Sequence, residues 1–431
     1  MRDEDTDRRS AARSGAVSRL SNRSSDVDST MGPPTPGTRT TTTATRTTTT
    51  RAPRSARSPS ADWIERQDGF SGEELVAAYR DCRRTKRNTA SARAFERDLA
   101  RNLTLLHDEL ADGSYRPGRS ICFVITRPKP REVWAAEFRD RVVHHLLYNR
   151  IGPRFERSFI ADSCACIKGR GTLYAATRLE SKVRSVTQNW TLPAHYLKCD
   201  LANFFVGIDK LVLREQLLGK VPEPFWRALT DTILMHDPRT DYVYRGEPSM
   251  MNLVPRHKRL LEQESHLGLP IGNLSSQFFA NVYLDALDQF VKHQIRAPRY
   301  VRYVDDFVLL HESPQWLNEA HRRINEFLPS RLHAHLNPTK TILQPIDRGI
   351  DFVGHFLKPW NRTIRPRTRR QAAARLTEIA AEDVYQATNS YFGLLRQSPS
   401  SHRHRAEIAN IARQRGHAVS AALTKAYRSK A

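Results

Sequence analysis

The chain has 431 residues, of which 39% are hydrophobic and 27% are charged, and this is the composition of a globular protein. No stretch approaches the ~18 to 20 consecutive apolar residues that a membrane helix requires, so a membrane-spanning protein is excluded and no membrane partner is expected. Lys and Arg outnumber Asp and Glu by 69 to 46, which leaves a formal net charge of +23. Such an excess predicts a polyanionic partner.

The cysteines favour neither a disulfide framework nor a zinc ribbon, because they are odd in number and lack paired CxxC spacing. They are Cys82, Cys122, Cys164, Cys166 and Cys199. The first ten residues, MRDEDTDRRS, are charged and contain no apolar segment of the signal-peptide kind. A cytoplasmic location is therefore expected.

Residues 1–60 are dominated by Ser, Thr, Arg, Pro and Gly and contain almost no large apolar side chains. Such a segment cannot bury enough surface to offset its ordering entropy, so a disordered tail is predicted. Its eleven Arg against six acidic residues suit an RNA-tethering arm. A solvated extension or a misassigned start codon explains the same composition.

From residue 63 onward the pattern becomes globular. Apolar spacing predicts helices over residues 73–84 and 94–110. Residues 121–138 predict two short strands on either side of a Pro/Lys/Arg turn, and the helical pattern resumes at residue 138. Residues 361–431 contain fourteen Lys and Arg against four acidic residues, which predicts a basic helical lobe.

Acidic residues stand where apolar strands end. In HYLKCDLANFF the apolar run leads into Asp200, and in RYVRYVDDFVLL two apolar runs bracket Asp305 and Asp306 as a hairpin would. Adjacent carboxylates resist desolvation, so their hydrophobic frame calls for a compensating cation. Carboxylates on neighbouring strands can hold two Mg²⁺ ions for nucleotidyl transfer. An Asp pair on a solvated turn is the alternative.

A series of further motifs accompanies these carboxylates in a fixed order. They are RPKPREVWAAEFRDRVVHHLL, SCACIKGRGTLYAA, LKCDLANFF, GLPIGNLSSQFFANVYLDALDQFVKH, RYVRYVDDFVLL, LNPTKT, DFVGHF and NSYFGLL. Their order resembles that of the reverse transcriptases of the retron and group II intron class, most closely those of diversity-generating retroelements. The resemblance covers about two thirds of the chain.

The resemblance implies an α+β fold of the right-hand polymerase type. After the tail at 1–60, residues 61–195 would form N-terminal helices and fingers. Residues 196–357 would form the palm, an antiparallel sheet backed by helices that carries the catalytic Asp residues. Residues 358–431 would form a basic helical thumb.

The resemblance also assigns the chemistry. Asp200, Asp305 and Asp306 would bind two Mg²⁺ ions, with the carbonyl of Leu201 as an extra ligand. Lys340, in LNPTKT, would protonate the leaving pyrophosphate, although a surface lysine is the alternative.

Phe205 follows Asp200 by five residues, where the family places an aromatic side chain that excludes a ribose 2′-hydroxyl. Core packing is the alternative for Phe205, and strand alternation favours Phe204 as the core residue.

Basic residues of the fingers would bind phosphates. Lys129 and Arg131 would clamp the triphosphate of the incoming nucleotide, and Lys168 and Arg170 would follow the template backbone. A solvated basic turn is the alternative for Lys129 and Arg131.

The segment GLPIGNLSSQ would contact the incoming nucleotide. Gly272 would let the backbone approach the base pair, and Gln277 would lie nearby, with helix capping or packing as its alternative. Many reverse transcriptases have Gln where this chain has Ile271. An aliphatic side chain cannot donate or accept a hydrogen bond, so lowered discrimination between nucleotides is expected.

The expected function is RNA-directed DNA polymerisation, error-prone and part of a diversity-generating retroelement. The implied partners are template RNA, the RNA/DNA hybrid, dNTPs and a small basic accessory protein. A reverse transcriptase of a phage-defence or CRISPR-associated system is the nearest alternative, and a non-catalytic RNA-binding scaffold is the alternative of another class.

Overall fold

The computed structural model describes residues 69–86, 89–127 and 129–428. The predicted tail at 1–60 lies outside the described residues. The strands are β1 (Ser120–Ile125), β2 (Arg131–Ala135), β3 (His195–Asp200), β4 (Tyr242–Tyr244), β5 (Tyr300–Tyr303), β6 (Asp306–His311), β7 (Ile342–Pro345), β8 (Ile350–Phe352), β9 (His355–Lys358) and β10 (Asn361–Ile364).

The helices are α1 (Gly72–Lys86), α2 (Ala90–Glu96), α3 (Leu99–Asp112), α4 (Phe138–Glu156), α5 (Thr172–Val186), α6 (Phe204–Gly207), α7 (Lys210–Leu218), α8 (Pro224–Met235), α9 (Leu274–Gln289), α10 (Pro314–Leu332), α11 (Pro366–Glu378), α12 (Ala381–Leu395) and α13 (His402–Gln414). Within the described ranges, none of these helices is both long and apolar enough to cross a membrane.

The first predicted helix is confirmed as α1, and a reciprocal cap starts it. The Ser71 amide donates to Glu74 Oε2 at 2.9 Å, while the Glu74 amide donates to Ser71 Oγ at 3.2 Å. The single helix expected over residues 94–110 is wrong, because α2 ends at Glu96 and α3 begins at Leu99. The apolar periodicity continues across this break and therefore concealed it.

The two strands predicted in residues 121–138 are confirmed as the antiparallel pair β1 and β2. They belong to a three-stranded sheet of order β2-β1-β4. Strand β4 is parallel to β1 and comes from the segment between α8 and α9. The sequence did not predict β4, because it has only three residues and exposed side chains at its start.

The central sheet has the order β5-β6-β3-β7, and all its neighbouring strands are antiparallel. Side chains alternate between its faces. Leu197 and Phe307 belong to the larger core with α4, α9 and α10, whereas Tyr196 and Val308 belong to a second core with α5. Helices thus cover both faces of the sheet.

After the central sheet the chain forms the antiparallel meander β10-β9-β8 and then α11, α12 and α13. These three helices enclose a core of their own that includes Leu376, Phe392 and Ile408. The helices expected in the basic C-terminal segment are thus confirmed. Mixed helices and mainly antiparallel sheets confirm the α+β class, which is the class expected of a right-hand polymerase.

Candidate active site

The aspartates singled out in the sequence meet at one end of the central sheet. Asp200 ends β3 and lies opposite Asp306, the first residue of β6. Asp305 lies in the turn between β5 and β6, and its carbonyl accepts a hydrogen bond from the Leu201 amide at 3.2 Å. The predicted strand end and hairpin are both confirmed.

The surroundings of these carboxylates disfavour negative charge. Burial raises the pKa of Asp306 to about 6, partly opposed by the Lys198 ammonium, which lies 3.3 Å from Asp306 Oδ2. Burial, with the nearby charge of Asp200, also raises the pKa of Asp305. A cation at this end of the sheet would relieve the repulsion among the three side chains.

The donor set fits a divalent cation such as Mg²⁺, which prefers carboxylate oxygens. Asp306 Oδ1 is buried and has no hydrogen-bond partner. Yet within the described part of the chain no three His, Cys, Asp or Glu side chains are already gathered as metal ligands. Asp200 and Asp306 instead pair with Lys340 and Lys198. A cation bound at Asp200 Oδ1 would displace the Lys340 ammonium, whereas Asp306 Oδ1 could bind a cation while Oδ2 stays paired with Lys198.

Lys340 reaches this site from a short 3₁₀ turn, Pro338–Lys340. Asn337 fixes the turn, because its Oδ1 accepts from the Thr339 amide at 3.1 Å and its own amide donates to the Asp200 carbonyl at 2.8 Å. Lys340 Nζ then donates to Asp200 Oδ1 at 2.6 Å. The structure thus brings Lys340 to the carboxylates, and its role as a proton donor stays a prediction.

The predicted triphosphate clamp lies at the turn between β1 and β2. Lys129 is in the turn and Arg131 is the first residue of β2, and both are exposed. The charge of Arg131 is close enough to Asp305 to lower the pKa of that carboxyl, although burial outweighs it. Arg131 thus lies near the carboxylates. Its contact with a nucleotide stays a prediction, as does that of Lys129.

The segment around Gly272 contacts β2 just before α9 begins. The Trp134 amide of β2 donates to the Ile271 carbonyl at 2.8 Å. Gly272 has a φ of +130°, and a Cβ there would lie 2.8 Å from the Trp134 carbonyl oxygen. In this structure the backbone at Gly272 can thus approach β2 closely because Gly272 has no side chain. Nucleotide contacts of Ile271, Gly272 and Gln277 stay predictions.

Lys168 and Arg170, the two predicted template contacts, have different surroundings. Lys168 is exposed. Arg170 Nη1 donates to the carbonyls of Ile160 and Ser163 at 2.8 and 2.6 Å, which closes its own loop. Arg170 therefore has a structural function here, and contact with template phosphates stays a prediction for both residues.

Phe204 and Phe205 do not lie on a strand, so the alternation argument for them is wrong. They begin the one-turn helix α6, because the chain bends immediately after Asp200. Phe204 is 5% exposed and is a core residue, while Phe205 is half-buried and packs at the edge of the same core. The role of Phe205 as a steric gate stays a prediction.

Two basic residues near the carboxylates were missed in the sequence. Lys198 shares a face of β3 with Asp200, and residues two apart in a strand point the same way, so alternation would have found it. Arg302 interrupts the apolar strand β5 and is fully buried. A charge in the middle of an apolar strand signals a buried partner.

Comparisons with known proteins give distant structural similarity. No family model and no curated protein matches the chain. A telomerase from Candida albicans, solved with a fragment of telomeric RNA, aligns at 12% identity and a TM-score of 0.42, over 69% of this chain and 56% of that one. A telomerase from Candida tropicalis aligns at 14% identity and a TM-score of 0.41, over 57% and 55%. The chain thus spans little more than half of either telomerase chain.

Proposed function

We propose that the protein is an RNA-directed DNA polymerase that joins dNTPs on a template RNA with two Mg²⁺ ions. The observation that carries the proposal is the meeting of Asp200, Asp305 and Asp306 at one end of an antiparallel sheet. An unpartnered, buried carboxylate oxygen on Asp306 supports it. The palm would comprise residues 196–357, the fingers 61–195 and the thumb 358–431.

Each residue of the candidate site would have its own role in nucleotidyl transfer. Asp200, Asp305 and Asp306, with the Leu201 carbonyl, would hold the ions, which activate the primer hydroxyl and stabilise the charge on the leaving pyrophosphate. Lys340, now bound to Asp200, would be released to donate a proton to that pyrophosphate. Lys129 and Arg131 would orient the triphosphate, and Lys168 would contact the template.

At a finer level, we propose that synthesis is error-prone, as in diversity-generating retroelements, with a small basic accessory protein as a further partner. The sequence motifs and the aliphatic side chain of Ile271 support this proposal. A phage-defence or CRISPR-associated reverse transcriptase would share the same site. A high accuracy of the wild-type enzyme would favour that second lineage.

A non-catalytic RNA-binding scaffold is favoured by one observation, the pairing of Asp200 and Asp306 with lysines. Primer extension on poly(rA)/oligo(dT) with Mg²⁺ and dTTP separates the two functions. The wild type and Asp231→Asn, whose exposed carboxylate pairs with Arg214 on the surface, should extend the primer. Asp200→Asn should abolish extension but retain RNA affinity, because the phosphate contacts lie elsewhere. Extension by Asp200→Asn equal to that of the wild type would refute the assignment.

A further inference from the structure

A fully buried ion pair lies directly behind the carboxylate hairpin. Arg302 in β5 and Asp288 in α9 both have no exposed side-chain surface. Arg302 Nε and Nη2 donate to the two carboxylate oxygens of Asp288 at 2.7 and 2.6 Å. Burial opposes the charge of Arg302, but Asp288 outweighs it and raises the pKa of the guanidinium. The Arg302 guanidinium therefore stays charged inside the core.

The remaining guanidinium hydrogens bind groups outside this pair. Arg302 Nη1 donates to the Val304 carbonyl at 3.1 Å and to Asn281 Oδ1 at 3.3 Å. Nη2 also donates to Ser163 Oγ at 2.9 Å. One planar side chain thus connects α9, the loop at Ser163 and the turn that carries Asp305.

The backbone of Arg302 strengthens the same connection. Its amide donates to the Asp162 carbonyl at 2.9 Å, and its carbonyl accepts from the Cys164 amide at 2.9 Å. Strand β5 is at the edge of the central sheet, so this loop pairs with its otherwise open side. The hairpin is therefore held from α9 and from the loop at once.

The turn that Arg302 contacts has an unfavourable backbone conformation. Val304 has a φ of +56°, in the left-handed region that β-branched residues rarely adopt. Its carbonyl, which Arg302 holds, belongs to the peptide bond that leads into Asp305. Such a conformation persists only where the surroundings impose it.

We propose that Arg302 is a positioning residue that fixes the Val304 peptide and so sets the Asp305 and Asp306 carboxylates for metal-dependent catalysis. This inference rests on the proposed polymerase function. The competing explanation is that the ion pair only stabilises the fold. The two differ because a buried ion pair can be replaced by apolar side chains without loss of stability, whereas no apolar side chain can hold a carbonyl.

The test replaces the network with apolar groups of similar size, in the full-length protein. Arg302→Met, Asp288→Leu and Tyr300→Phe are combined, since the Tyr300 hydroxyl also donates to Asp288, at 2.7 Å. The control is Arg154→Met with Glu223→Leu, which removes a bidentate pair between α4 and the start of α8. Primer extension gives kcat and KM for dTTP, RNA affinity is measured by fluorescence anisotropy, and thermal unfolding reports stability.

If Arg302 positions the turn, kcat of the triple variant falls by about 100-fold, the effect of a misplacement of ~1 Å, while KM and RNA affinity stay near wild type. The control pair keeps its kcat. Hydrogen exchange of the peptide spanning residues 300–311 becomes faster in the triple variant and not in the control. A folded triple variant with wild-type kcat and unchanged exchange would overturn the inference.

Arg302→Lys provides a second route if the triple variant does not fold. A lysine keeps the positive charge beside Asp288 but lacks the planar fork, so it cannot hold Asp288 and the Val304 carbonyl together. We expect a lowered kcat that Val304→Gly partly restores, because glycine adopts a positive φ without strain. Wild-type kcat in Arg302→Lys, or no restoration by Val304→Gly, would contradict the positioning role.

The hydrogen-exchange measurement separates this inference from the proposed function. If the wild type extends no primer, the polymerase assignment fails, and faster exchange in residues 300–311 would still support the hold on the Val304 peptide. If the wild type is active and the exchange is unchanged in every Arg302 variant, the positioning role fails by itself.

Discussion

Gly272→Ala should destabilise the junction between β2 and the segment that leads into α9. A φ of +130° is unfavourable for alanine, and such backbone strain costs about 1 to 3 kcal/mol. The added Cβ would also lie 2.8 Å from the Trp134 carbonyl oxygen and 3.0 Å from Val133 Cγ1. Relieving that overlap moves β2 and weakens the hydrogen bond from Trp134 to Ile271, worth about 1 kcal/mol. The expected loss is about 2 to 4 kcal/mol in the free energy of unfolding.

Urea denaturation followed by circular dichroism measures this loss. The matched control is Gly393→Ala, because Gly393 lies inside α12 and a new Cβ there would have no atom within 4 Å other than those of its chain neighbours and its own helix backbone. That variant should be more stable than wild type by up to about 1 kcal/mol, the difference in helix propensity. Equal stability of Gly272→Ala and Gly393→Ala would refute the account of the junction.

Three further predictions concern discrimination and pH. Phe205→Ala should raise the ratio of rNTP to dNTP incorporation, because the removed ring opens space for a 2′-hydroxyl; an unchanged ratio in an active variant would identify Phe205 as a packing residue. Ile271→Gln should lower misincorporation by roughly five- to 150-fold, because one polar contact is worth about 1 to 3 kcal/mol. Sequencing cDNA made by both enzymes measures the error rates. Equal error spectra would show that Ile271 does not set fidelity. His144 is buried in α4, and burial lowers its pKa from 6.5 to about 3. Below pH 6.5 the unfolded chain therefore binds a proton at His144 that the folded protein does not bind. The free energy of unfolding falls as the pH drops below 6.5 for this reason. The loss in the free energy of unfolding approaches about 1.4 kcal/mol per pH unit. Between pH 7 and pH 4, the thermal unfolding midpoint should fall less steeply for His144→Leu than for the wild type. Identical slopes for the two proteins would contradict this prediction.

Local sequence patterns were sufficient to predict the elements that carry the candidate chemistry. Apolar runs that end at Asp200 and bracket Asp305 and Asp306 predict a strand end and a hairpin tip, and both are present. Alternation within each strand then decides which side chains share a face, because the period of two belongs to the backbone itself. Local pattern and local structure agree in these segments.

The groups that surround those carboxylates come from distant parts of the chain, so their identity depends on how the chain packs. Lys340 and Asp200 are 140 positions apart, and their contact depends on how the 3₁₀ turn packs beside β3. The partners of Arg302 come from α9 and from the loop at Ser163, so no local pattern identifies them. The break between α2 and α3 and the one-turn helix at Phe204 were missed because apolar spacing reports the buried face of a segment. Where the backbone bends depends on the space that neighbouring elements leave.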